Sequence, residues 1–202
     1  MNAPILPEPL KALLPPDLHA QAQGLHLARH ARLFRTGDRP RSMFYVVSGE
    51  VTLERSGLHG QPVVLQRTRQ GFVSEASLQV ERYHCDAVAV SESLVIQLPA
   101  PALARALESD PAFAGRWIAM LNREVRRLRL HCERLSMKSV RERLVHLIET
   151  EGQAGHYPTP SGLKTLAGEL GITHEALYRT VADLEQQGRL MRKEGALVLR
   201  PI

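Results

Sequence analysis

The hydrophobic positions keep three different rhythms along the chain. Over the first 30 residues Leu10, Leu13 and Leu14 precede Pro15-Pro16, and Leu18, Leu25, Leu27 and Ala28 follow it, a helical pattern broken by prolines. From about 33 to 98 the pattern becomes short β-type runs between turn signals. Phe44 to Val47 leads into Ser48-Gly49-Glu50, and Val51 to Arg55 leads into a loop at Ser56-Gly57 and His59-Gly60. Val63 to Leu65, Ala87 to Val90 and Leu94 to Leu98 complete the set. Short strands at this spacing predict a small antiparallel barrel or roll. Pro99 and Pro101 close that region, and one long helix is expected over about 101–135. Its Leu121, Val125, Leu128, Cys132 and Leu135 step by four, three, four and three, a heptad seam flanked by long charged side chains. Such a seam needs a facing surface, either the roll or a second copy of the helix, and the arginine-rich flanks favour the second copy.

Ser136 to Ser139 interrupts the seam. Ser139 with Glu142 forms a capping box for a helix over Val140 to Thr150, and Gly152 to Pro160 reads as a loop. Residues 161–188 carry the most information. Ser161 can cap a helix with Leu163, Leu166, Ala167 and Leu170 on one face, and Gly171 permits its left-handed ending. Thr173 caps a second helix that buries Leu177, Val181 and Leu184 and stops at Gly188. Two short helices about a tight turn are the helix-turn-helix arrangement. The second exposes His174, Glu175, Tyr178 and Arg179 near its start, the positions that enter a major groove. Arginine pairs with guanine and glutamate accepts from cytosine. Thr173 and Thr180 can donate to phosphates, and Glu175 and Arg179, four apart, can brace each other. Leu190 to Leu199 reads as a hairpin whose Lys193-Glu194-Gly195 turn can touch phosphate, which makes the module a winged helix-turn-helix on double-stranded DNA. The plain alternative is a packed helical hairpin with a surface ion pair, but the turn, both caps and the polar tip agree on a reader.

Composition changes this picture little. The 202 residues have a net charge of +5 and a pI near 9.6, which suits a polyanionic partner. The charge is misplaced for a simple version of that idea. Between Arg116 and Arg143 nine basic residues face three acidic ones, so the excess sits on the central helix rather than on the reader. There is no apolar run of membrane-spanning length and only Cys85 and Cys132 are present, so no secretory leader and a cytoplasmic protein without disulfides are expected. No phosphate loop, Ser-His-Asp spacing or HExxH motif is present, and an enzyme is not expected.

The order of parts resembles the Crp/Fnr family of bacterial transcription regulators over about residues 25–202. The resemblance is carried by Leu33 to Asp38, Phe44 to Val51 and Thr173 to Arg179. It implies an α+β chain in three parts: a cyclic-nucleotide-binding-like antiparallel β-roll with N-terminal helices over 1–100, a dimerisation helix over 101–138, and a winged helix-turn-helix over 139–202. It also implies a homodimer on a palindromic site, contact with RNA polymerase, and Glu175 and Arg179 as the base-reading pair. Regulators of this family that bind cyclic AMP clamp its phosphate with an arginine. Here the cassette reads Ser74-Glu75-Ala76-Ser77-Leu78, and Tyr83-His84-Cys85-Asp86-Ala87 stands where the arginine belongs. Glu75 can hold a ribose hydroxyl, but a phosphate needs a fixed cation, and Leu128 and Arg129 replace adenine-contacting hydroxyls. Cyclic AMP is disfavoured, and the cysteine count excludes the family's iron–sulfur cluster. Two readings stay open for the effector. His84, Cys85, His131 and Cys132 suit a metal, haem or thiol-redox sensor, with Asp86 orienting a histidine. Alternatively both cysteines are core residues and no effector binds.

Overall fold

The computed structural model describes residues 4–57, 62–159, 162–193 and 195–200. The expected cap Ser161, the loop at His59-Gly60 and Glu194 of the hairpin turn lie outside the described residues. The chain forms two compact units, Met1–Met120 and Leu121–Ile202.

The first unit opens with α1 (Glu8–Leu13) and α2 (Pro16–His19), each with proline in its first turn, where the missing N–H costs nothing. The helical expectation fails beyond them. Gln23–Leu27 is strand β1, with Leu25 and Leu27 on one face, and its pairing with a distant strand overrides the local leucine spacing. The strands that follow are β2 (Arg32–Phe34), β3 (Ser42–Ser48), β4 (Val51–Ser56), β5 (Pro62–Thr68), β6 (Gly71–Phe72), β7 (Asp86–Ala89) and β8 (Ser93–Pro99). They form two four-stranded antiparallel sheets, β1-β8-β3-β6 and β2-β7-β4-β5. Phe34, Phe44, Val46, Leu53, Tyr83, Cys85 and Val95 share one core cluster. The unbroken apolar run of β3 has a second cause. Tyr45 points away from that cluster and meets Phe72 edge-on at 5.2 Å, which meets Trp117 at 5.0 Å, so both faces of the strand are buried. The Ser48-Gly49-Glu50 turn needs its glycine: φ is +82°, and a Cβ there would lie 2.3 Å from the Glu92 carbonyl oxygen.

The single long helix expected from the sequence is two helices, α3 (Ala100–Ser109) and α4 (Pro111–Ser136). Pro111 pushes Asp110 out of the helical region (φ −118°, ψ 96°). The Asp110 carboxylate then accepts from the Phe113 N–H at 3.0 Å and starts the second helix.

In the second unit, α5 (Val140–Glu151) begins with the complete Ser139–Glu142 capping box. Gln153 to Pro158 is not merely a loop, because His156–Pro158 is β9 and pairs with β11. Next come α6 (Gly162–Glu169), α7 (His174–Gln186), β10 (Leu190–Lys193) and β11 (Ala196–Leu199), with sheet order β10-β11-β9. One core joins Leu144, Leu147 and Ile148 of α5 to Leu163, Leu166 and Ala167 of α6 and Leu177, Val181 and Leu184 of α7.

Candidate nucleic-acid interface

The turn between α6 and α7 is built by backbone hydrogen bonds. Ile172 N–H donates to the Ala167 carbonyl at 3.0 Å and Gly171 N–H to the Gly168 carbonyl at 3.3 Å, the paired bonds of a left-handed helix ending, with Gly171 at φ +66°. Thr173 then caps α7, its hydroxyl oxygen accepting from the Ala176 N–H at 3.2 Å. One face of α7 is buried at Leu177, Val181 and Leu184, and the first turns expose His174, Glu175, Tyr178 and Arg179.

Three details differ from the sequence expectation. Glu175 does not brace Arg179: its carboxylate meets His174 Nε2 at 3.1 Å, the nearer neighbour. Its own backbone N–H, then the Thr173 hydroxyl and His174, hold the carboxyl below its ordinary value, so it stays an anionic acceptor. Among the described residues Arg179 has no ion-pair or hydrogen-bond partner, which leaves its donors available. Thr180 does not offer its proton outward, because its hydroxyl donates to the Ala176 carbonyl at 2.9 Å. The Thr173 hydroxyl is likewise engaged, accepting from the Ala176 N–H and bonded to the Glu175 carboxylate. The hairpin is braced to α7 by Arg192, which donates to both Glu185 oxygens at 3.0 and 2.6 Å, a contact that no local pattern indicates. Lys193 lies exposed at the end of β10.

Among the described residues the seam of α4 is largely exposed. Val125 is 45% exposed, Leu128 39% and Leu135 43%; Cys132 is exposed and Leu121 half-buried. Ile118, 56% exposed and three residues before Leu121, extends the same stripe and was legible from the heptad.

The sensing residues are differently placed. Glu75 and Ser77 form a short 3-10 turn, with Ser77 buried. Tyr83 lies flat on Phe34, ring centres 3.7 Å apart, and its hydroxyl donates to the Ser42 carbonyl at 2.9 Å. Burial, then Asp38, pushes that phenol up to about 12. Tyr83, in the stretch where the resemblance places a phosphate-binding arginine, therefore supplies core packing. Neither Tyr83 nor Asp86 supplies a cation for a cyclic nucleotide phosphate. Cys85 is buried in the same cluster, where burial and then Asp86 raise its thiol and keep it protonated. His84 is exposed. On α4, Cys132, Leu128 and Arg129 are exposed, and His131 is half-buried with its imidazole pushed down by burial and by Arg134. Among the described residues no group of three or more His, Cys, Asp or Glu side chains is placed to hold a metal.

Asp86 does not orient a histidine. Its carboxylate accepts from the Thr36 N–H at 2.8 Å and hydroxyl at 2.9 Å and pairs with Arg32 at 3.4 Å. The Thr36 backbone bond, with the Thr36 hydroxyl and Arg32, holds the carboxyl below its ordinary 3.8. Stability from these bonds is thus present above that value and lost as pH falls through the lower folded value. Asp86→Asn is expected to lower the melting temperature near about pH 6 and to shrink its fall towards about pH 3. An unchanged acid limb in thermal melts would refute this.

Residues 25–110 match the sequence profile of the cyclic nucleotide-binding domain. Comparison with curated proteins returns no match. Solved structures share the fold over nearly the whole chain. FixK2 from Bradyrhizobium japonicum is 21% identical, covering 89% of this chain and 93% of its own, with a TM-score of 0.72. The c-di-GMP responsive global regulator CLP of Xanthomonas campestris is 19% identical (91% and 96% covered, TM-score 0.63). A CRP-family transcriptional regulator from Thermus thermophilus is 20% identical (87% and 91% covered, TM-score 0.62). The class this defines is a cyclic nucleotide-binding-type roll followed by a long helix and a helical C-terminal unit. The chain shares its fold with these solved structures, one of which is described as a CRP-family transcriptional regulator. Among the described residues no helix is long and apolar enough to cross a membrane.

Proposed function

We propose that this protein is a sequence-specific transcription regulator that reads double-stranded DNA as a homodimer through a winged helix-turn-helix. The observation that carries the reading is α7. It is capped by Thr173, seated on a full core by Leu177, Val181 and Leu184, and leaves His174, Glu175, Tyr178 and Arg179 exposed on its other side. Arg179 has the donors for guanine and Glu175 the acceptors for cytosine. Lys193 reaches phosphate, and β10 with β11 is the wing. The exposed seam of α4 supplies the face for a second copy, which sets two readers on a palindromic site in the cytoplasm, with RNA polymerase as the downstream partner. The fit at Tyr83 and Asp86 argues against cyclic AMP as effector.

A gel-shift titration tests the reading, using a palindromic site selected from random duplexes. Arg179→Ala and Glu175→Ala are each expected to cost about 1–3 kcal/mol on the selected site and to leave binding to random duplex nearly unchanged. If random DNA competes as well as the selected site against the wild type, the reading fails.

A further inference from the structure

Arg143 stands in the first turn of α5, and its guanidinium donates in three directions. Nε reaches the Met137 carbonyl at 3.0 Å, Nη2 the Leu135 carbonyl at 3.1 Å, and Nη1 the Leu170 carbonyl at 3.0 Å. The first two acceptors close α4, and the third closes α6 just before the reader's turn. All three lie at or just past helix C-termini, where carbonyls lack intrahelical partners and the helix dipole is negative. The side chain of Leu135 reaches the same turn: a Cβ on Gly171 would lie 3.1 Å from Leu135 Cδ2 and 3.7 Å from Arg143 Nη1. The end of the seam helix, the start of α5 and the turn between α6 and α7 therefore meet at one planar cation. Arg141, two residues earlier, makes a single bond to Gln187 at 2.9 Å and does not reach α4.

We infer that Arg143 is a positioning residue that fixes where the reader sits on the seam helix, and thereby the separation of the two readers in the dimer. The inference rests on the dimeric reading proposed above. A guanidinium holds its donors in one rigid plane, so three carbonyls bonded to it keep one mutual geometry. An ammonium has its three donors on one atom and cannot span the three acceptors.

The test compares the full-length protein with Arg143→Met and Arg143→Lys. The duplexes carry half-sites selected with the wild type, at the selected spacing or one or two base pairs away from it. One base pair displaces the second half-site by about 3.4 Å and about a tenth of a turn. The wild type should lose roughly tenfold or more in affinity for each altered spacing. Both variants should bind the selected spacing roughly tenfold more weakly, bind altered spacings almost equally well, and keep wild-type affinity for a duplex with one half-site. Arg143→Lys keeps the stem and charge and carries the test if Arg143→Met does not fold. Variants that retain the wild-type spacing preference, or weaken equally on every duplex including the single half-site, overturn the inference, because Arg143 is then only a stabilising residue. A wild type with no specific binding overturns the dimeric reading instead.

Discussion

Glu151→Gln is expected to destabilise the second unit by about 3 kcal/mol or more, measured by urea unfolding of the full chain. Arg134, near the end of α4, is 3% exposed, and its guanidinium pairs with Glu151 at the end of α5. An acid at a helix C-terminus opposes the helix dipole, so Glu151 is not there for the sake of its own helix. Its role is to balance Arg134, which among the described residues otherwise donates only to the Thr150 hydroxyl at 3.5 Å. Removing the acid's charge leaves a cation enclosed without a counter-ion, the costly half of a buried pair. A second link, His146 Nε2 to Glu133 at 3.5 Å, joins the same two helices. Replacing the pair together, as Arg134→Met with Glu151→Leu, should recover most of the loss, since the penalty comes from an unbalanced charge rather than a missing attraction. A loss below about 1 kcal/mol in the single variant would show that water reaches Arg134 and that the pair is not structural.

The second unit was legible because its signals are local. Thr173, Gly171 and Gly188 each act on backbone groups within five residues, and the periodic leucines between them face one core. The same locality explains why Ser139 and Glu142 were recognised as a cap. The break at Asp110 was equally local, since an aspartate before a proline both leaves the helical region and caps the next helix. There the heptad pattern downstream outweighed a signal that was present. Strands β1 and β9 were not legible. Each is short and takes its identity from a partner far away, Ser93 to Gln97 for β1 and Ala196 to Val198 for β9.

The site shows the same division. Which face of α7 is exposed followed from spacing, but which acid meets which base did not. Glu175 turns to His174 at 3.1 Å, although Arg179 stands one helical turn away. Side-chain pairs on an exposed face differ by a few tenths of a kcal/mol, too little for spacing to decide. The sensing residues were misread for a deeper reason. Asp86 looked like an orienting group for a neighbouring histidine, yet its partner is Thr36, fifty positions earlier on the adjacent strand's loop. Cys85 was open between a sensor ligand and a core residue, and it lies buried in the cluster that holds Phe34 and Tyr83. Both assignments depend on which strands pair, and a period-two pattern does not state that.

Leu177→Ala and Tyr178→Ala, neighbours on α7, are expected to separate folding from reading. Leu177 is fully buried among Leu163, Leu166, Val181 and Leu184, so its truncation leaves a cavity in the only core this unit has among the described residues. The expected loss is about 2–5 kcal/mol, with protein that binds every duplex poorly because its reader is partly unfolded. Tyr178 is 46% exposed, and its ring contact is an edge-on approach to His174 at 6.4 Å. Its truncation should change stability by no more than about 0.5 kcal/mol while weakening the selected site. The pair is informative because both side chains leave the same helix within one residue of each other. Neither substitution changes the charge, and the two side chains occupy opposite faces of the helix. Should Tyr178→Ala unfold the unit, or Leu177→Ala melt like the wild type, α7 would have the opposite face inward, and His174, Glu175 and Arg179 could not present themselves to a groove.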